Sequence, residues 1–228
     1  MTPALKPARA ILPVLGLLAG LLLAPPAPAE ETGLAAGATP EDVLRALEQR
    51  FAGITNVQTE FVQEKQLAIL QQKVRIKGSI TVKNPDKLAW HVSEPIRYGL
   101  VMAGTSLRQW DEDSGQVQQI SLKGNPVFDI VIRQLRAWFS GQFRPLLADF
   151  EMRMTAAIPL TIEFAPRENS FARKAVKRVV LTFREDQRYV SEMRIEELSG
   201  DLTHMTFANT VVNGPIDPRA WEVKPDAR

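Results

Sequence analysis

Few side chains in this sequence could carry covalent chemistry. The 228-residue chain has no cysteine and two histidines, His91 and His204. Lack of cysteine excludes disulfides, thiolate catalysis and thiolate-ligated metals. His91 alternates away from Leu88, Trp90 and Val92, which reads as an exposed strand position, and His204 stands in a strand opposite Met205 and Phe207. A Ser-His-Asp triad would need one of them, and no G-x-S-x-G turn is present. Two histidines far apart in sequence make a poor zinc site. The acidic run Asp111-Glu112-Asp113-Ser114-Gly115 lacks the regular oxygen spacing of a calcium loop and reads as a plain hairpin turn. Neither a phosphate-binding loop nor a dinucleotide fingerprint occurs. The expectation is therefore a protein that is not an enzyme, with no catalytic residue, no metal site and no cofactor. The remaining chemistry is apolar binding. Trp90, Met102, Met152, Met154, Phe164 and Met205 are residue types that adapt to a flexible apolar guest. The same residues would equally fill a dry core, and their pattern alone leaves both possibilities open.

The elements that must position these side chains are mainly strands. From Lys73 to Trp110, Val74, Ile76, Gly78, Ile80 and Val82 alternate with Arg75, Lys77, Ser79, Thr81 and Lys83. That is the period of two of a strand with one apolar and one wet face. Asn84-Pro85-Asp86 breaks the run with turn chemistry. A second run carries Leu88, Trp90 and Val92, a third Leu100 and Met102, and a fourth, after Gly104, Leu107 and Trp110. Upstream, Val57, Thr59 and Phe61 share a strand face. Downstream, strands are predicted at 117–122, 150–155, 160–164, 179–183, 189–198 and 202–212, with Ser199-Gly200-Asp201 as a hairpin turn. Pro166 to Ala175 is a polar, basic connection.

Two helical segments interrupt the strands. Thr39 can cap a helix that Pro40 opens, with acids in its first turn and Val43, Leu44, Leu47 and Phe51 on one side; Gly53 ends it. Asn125 and Pro126 open a second, in which Phe128, Val131, Ile132, Leu135, Trp138 and Phe139 form a helical stripe before Gly141. A short helix is predicted at Pro145 to Ala148. About ten antiparallel strands must cover one apolar face. A closed barrel is one solution; helices laid over an open, curved sheet are another, which the two helical segments fit.

The termini and charge set the setting. Lys6 and Arg9 precede an apolar run from Ala10 to Ala24, and Ala27-Pro28-Ala29 supplies small residues for signal cleavage. The run is shorter than the ~20 residues a membrane span needs. Residues 1–29 therefore read as a signal peptide, 30–38 as a Gly/Ala-rich mobile tether, and 39–228 as a single domain working in the periplasm, as a monomer. Lys6 and Arg9 are the only charges in 1–29, so the remainder, with 26 basic against 26 acidic residues, is formally neutral. Neutrality argues against nucleic-acid binding.

The central stretch resembles the LolA family of periplasmic outer-membrane lipoprotein carriers. The resemblance rests on Gly78, Ile80, Val82, Lys83 and Pro85, then Leu88, Trp90 and Pro95, then Gly104 and Leu107, with Phe61 and Gln63 matching an upstream F-x-Q strand. It implies a mainly β fold: an open, curved antiparallel half-barrel sheet whose concave apolar face is covered by helices. By the same resemblance Ile76, Ile80, Val82, Leu88, Trp90, Val92, Leu100 and Met102 would join the four methionine and phenylalanine positions 152, 154, 164 and 205 as an acyl-chain cavity. Leu47 and Phe51, with the stripe from Phe128 to Phe139, would form its lid. The implied partners are lipoprotein acyl chains or another lipid, an inner-membrane ABC exporter complex and an outer-membrane acceptor. The final segment, Ile216 to Val223, would be the family's closing strand. One position departs: Asn84 stands where the best-known members have an Arg that latches the lid. Asn carries fewer donors on a shorter stem. Its expected role is to make the turn, which leaves the lid held mainly by apolar contacts and little sensitive to salt. Three functions fit: a lipoprotein carrier, a carrier of another envelope lipid or lipid-linked product, and a lipid-sensing regulator or structural protein of the envelope.

Overall fold

The computed structural model describes residues 39–69, 72–123, 137, 141 and 143–224. The predicted signal peptide and tether, and the lid positions Phe128, Val131, Ile132, Leu135, Trp138 and Phe139, lie outside these residues. Among the described residues, eleven strands form one open antiparallel sheet in the order β6-β5-β4-β3-β2-β1-β11-β10-β9-β8-β7. They are β1 (Asn56–Leu67), β2 (Gln72–Lys83), β3 (Lys87–Glu94), β4 (Tyr98–Ala103), β5 (Ser106–Asp111), β6 (Val117–Ser121), β7 (Phe150–Ala157), β8 (Leu160–Pro166), β9 (Val176–Phe183), β10 (Val190–Glu197) and β11 (Leu202–Val212). Every pair but one is a hairpin neighbour. The exception joins β1 to β11, with Phe61 opposite Phe207 and Gln63 opposite Met205, so the two halves of the chain meet along the sheet's midline.

Helix α1 (Pro40–Phe51) forms as its sequence dictates. The Thr39 hydroxyl accepts from the Asp42 amide at 3.3 Å, and the Asp42 carboxylate accepts from the Thr39 amide at 3.1 Å. This reciprocal cap satisfies free donors of the first turn, and its hydrogen bonds hold the Asp42 carboxyl below its ordinary range. Val43, Leu44, Leu47 and Phe51 are buried, in the same core as the inner-face residues of the sheet. Period-two alternation places that core on one face: Ile76, Ile80 and Val82 of β2 join Leu181 and Phe183 of β9 in it.

Two expectations are corrected. The C-terminal segment is not a closing strand. Pro218–Trp221 is a 3-10 helix, capped by Asp217, whose side chain accepts from the Arg219 amide at 2.9 Å. Proline removes a donor that a central strand would need, and β11 is already paired on both sides, with β1 and β10. The segment instead lies on the outer face. Val223 and Trp221 pack with Ala89, Val101 and Trp110 in a second, small cluster. Trp110 belongs to it because it stands an odd number of residues from Leu107, which points to the inner face. His91, expected to be exposed, is therefore half-buried. Its Nε2 donates to the Glu222 carbonyl at 2.8 Å, and burial holds the imidazole below its ordinary pKa, with that carbonyl acting in the opposite direction.

Candidate functional site

The inner face is built strand by strand. Ile80 faces Trp90 and Val82 faces Leu88 across β2 and β3. Trp90 then faces Leu100, and Leu88 faces Met102, across β3 and β4. Met152 faces Phe164 across β7 and β8. Ile76, Val92 and Met205 complete the set. All of these are buried in one cluster together with Leu47 and Phe51 of α1, and Met154 packs against it half-buried. The structure thus brings together every described position of the predicted cavity and lid.

Gly78 makes this packing possible. It lies opposite Phe61, and a Cβ there would meet the His91 carbonyl oxygen at 1.9 Å and the Phe61 ring at 2.8 Å. The bare backbone lets the Phe61 ring sit 5.1 Å from Trp90, centroid to centroid.

Sequence reasoning missed an aromatic box at the helix end. Phe143 is fully buried. Its ring meets Phe51 of α1 edge-on at 5.8 Å and Phe183 of β9 at 5.7 Å, and stacks with Phe164 of β8 at 6.4 Å. Such offset and edge-on arrangements are the favoured ones. Phe143 lies between Gly141 and Arg144-Pro145 in a stretch with no periodicity, so no pattern could single it out.

Asn84 does more than turn the chain. Its Nδ2 donates to the Ile54 carbonyl at 2.7 Å, and its amide donates to the Thr55 carbonyl at 2.9 Å. Both acceptors lie in the connection between α1 and β1, so Asn84 fastens the β2–β3 turn to the foot of the helix. With Glu48, Phe51, Ala52, Ile54, Gly141 and Pro145 it lines a recess of about 420 Å³. Asn84→Ala is expected to lower stability by about 1 kcal/mol, the scale of one hydrogen bond. Urea unfolding checks this; an unchanged midpoint would mean the bond carries nothing.

Ion pairs add to the apolar contacts of α1. The Arg144 guanidinium, in the 3-10 helix Arg144–Ala148, donates to both Glu48 carboxylate oxygens at 3.0 and 2.9 Å, and pairs with Glu41 as well. These pairs are solvent-exposed, so salt weakens them.

The inner face turns polar at one end. Lys65 Nζ lies 3.1 Å from Glu197 and 3.6 Å from Asp201. Burial raises the Glu197 pKa against the opposing effect of Lys65. Nearby on the same face, Gln63 Nε2 and Thr203 Oγ1 are buried without a partner. No histidine joins this group: His91 is on the outer face, and His204 Nε2 meets Glu192 at 3.1 Å. Among the described residues no cluster of three or more His, Cys, Asp or Glu side chains could hold a metal, and no helix is long and apolar enough to cross a membrane. The arrangement suits sequestration of an apolar group.

The structure is similar to that of a DUF1329 family protein from Desulfovibrio piger, at 11% identity and a TM-score of 0.49, covering 79% of this chain and 95% of that one. It is also similar to a LolA superfamily protein from Nitrosomonas europaea, at 11% identity and TM-score 0.43, covering 80% and 97%, and to LprF from Mycobacterium bovis, at 10% identity and TM-score 0.42, covering 78% and 96%. No curated protein matches the sequence. The family model described as outer membrane lipoprotein carrier protein LolA matches residues 52–224. That match begins just after α1 and spans all eleven strands, and the chain belongs to the LolA family.

Proposed function

We propose that this protein is a periplasmic carrier that shields the acyl chains of a lipoprotein, or of another envelope lipid, against the inner face of its sheet. It would receive them from an inner-membrane ABC exporter complex and yield them to an outer-membrane acceptor, without catalysing a reaction. The observation that carries this reading is the single apolar inner face, covered by α1 through Leu47 and Phe51. Family membership supports it. Each methylene withdrawn from water contributes about 0.8 kcal/mol, so one long chain supplies on the order of 10 kcal/mol before ordering costs. That is enough to hold a lipid across an aqueous compartment. In this reading residues 1–29 direct export and are removed, 39–228 act as one unit, and the segment from Phe128 to Phe139 completes the lid begun by α1.

The test is a fluorescence titration of delipidated protein with palmitate. Trp90 lies on the inner face, so its emission should change saturably, and Trp90→Phe should reduce the change. A titration that leaves the emission flat, while palmitate stays free in solution, would contradict the proposal.

A further inference from the structure

Among the described residues, exposed apolar side chains are distributed unevenly between the two ends of the sheet. Antiparallel order places the β1–β2, β3–β4, β5–β6, β8–β9 and β10–β11 connections at one end. Among the described residues, four of them carry a large apolar residue turned to solvent, Ile69 (88% exposed), Ile96 (50%), Phe171 (59%) and Leu198 (58%), and Val117 (56%) opens β6 at the same end. The opposite end, with the Asn84-Pro85-Asp86 turn and the β9–β10 turn, carries Ile158 and Val211. Single exposed apolar residues are ordinary; five along one rim are a surface.

Three of these loops are joined directly. The Leu198 amide donates to the Ala175 carbonyl at 3.0 Å, tying the β10–β11 hairpin to the connection that bears Phe171. The Ala68 amide donates to Asp201 at 3.0 Å, tying the loop of Ile69 to the same hairpin. Ile69, Leu198 and Phe171 therefore form one stretch of rim. Cations flank it. Arg173 and Lys174 are exposed, and Lys174 Nζ lies 5.3 Å over the Phe171 ring. Lys73 and Arg75, at the start of β2, are exposed and make no ion pair among the described residues. Of the acids of this region, Glu197 and Asp201 are engaged by Lys65, and Glu196 by Arg178 and Lys177. Glu168, 3.8 Å from Arg173, and Glu64, opposite Arg75 across β1 and β2, are exposed.

We propose that this rim seats the protein on an anionic lipid bilayer. Apolar tips enter the boundary between headgroups and acyl chains, while exposed lysine and arginine side chains meet the anionic headgroups. Residues 30–228 are formally neutral, yet Lys73, Arg75, Arg173 and Lys174 gather beside these apolar tips, which is the charge complement of such a surface. The inference concerns the loops alone and does not need the inner face to hold a lipid.

The experiment is co-sedimentation of the protein, purified from its own host, with vesicles of phosphatidylglycerol and phosphatidylethanolamine. Binding should be several-fold greater than to phosphatidylcholine vesicles and should fall as salt is raised. Phe171→Ser with Leu198→Ser should lower the bound fraction several-fold. Arg173→Gln with Lys174→Gln should lower it and flatten its salt dependence. These positions are exposed, so the fold should persist by circular dichroism. Ile158→Ser, at the opposite end, should bind as wild type. A protein that stays in the supernatant with anionic vesicles at low salt overturns the inference, as does equal loss in Ile158→Ser. So does a rim whose substitutions spare vesicle binding but abolish crosslinking of Leu198 to a protein partner. Vesicle binding by a protein that takes up no palmitate would uphold the rim and reject the carrier; the converse would do the reverse.

Discussion

Gly78→Ala is expected to be strongly damaging, lowering stability by about 3 kcal/mol, at the upper end of what overpacking costs. An added Cβ would lie 1.9 Å from the His91 carbonyl oxygen and 2.8 Å from the Phe61 ring. The carbonyl is backbone, in a strand paired with β2, so it cannot swing aside as a flexible side chain would. Either β2 and β3 separate, or Phe61 leaves its place against Trp90. Chemical denaturation measures the loss. A stability within about 0.5 kcal/mol of wild type, the usual range of a surface change, would show that the strands yield more easily than their packing indicates.

Phe143→Ala is expected to cost about 3–5 kcal/mol, the range for deleting a buried aromatic ring. Its distinctive consequence is where the damage falls. Phe143 touches Phe51 on α1 and Phe164 and Phe183 on the sheet, so its loss should undock the helix before the sheet melts. Amide exchange in α1 should rise far more than in β1 or β11. If α1 covers the lipid, palmitate should also dissociate faster. Uniformly raised exchange across helix and sheet would mean that Phe143 supports the whole core and not the cover in particular. Phe143→Leu, which keeps most of the volume, should restore much of both properties.

The strands were legible because alternation is a direct imprint of a two-faced sheet. Ile76, Ile80, Val82, Leu88 and Trp90 could be placed on one face from spacing alone, and they meet there. Helix α1 was legible from its cap, since Thr39, Pro40 and Asp42 announce their roles locally. What could not be read was whatever depends on distant partners. Asn84 reaches Ile54, thirty residues away. Arg144 joins Glu41 and Glu48 across about a hundred. The buried Phe143 follows no period. The outer cluster of Ala89, Val101, Trp110 and Val223 had a signal that was open to reading: apolar residues on the wet side of adjacent strands. Its cover at Trp221 and Val223 could not be inferred, because proline-containing segments carry no strand or helix period.

The central claim, that the inner face serves an acyl chain, is tested most directly by native mass spectrometry of the protein purified from its own cell envelope without detergent. The expected result is a mass excess of one acylated molecule per protein, lost when α1 is undocked by Phe143→Ala and retained in Asn84→Ala. A spectrum showing only the bare polypeptide, together with a failure of that polypeptide to take up palmitate, would contradict the claim and leave the apolar face as a closed core.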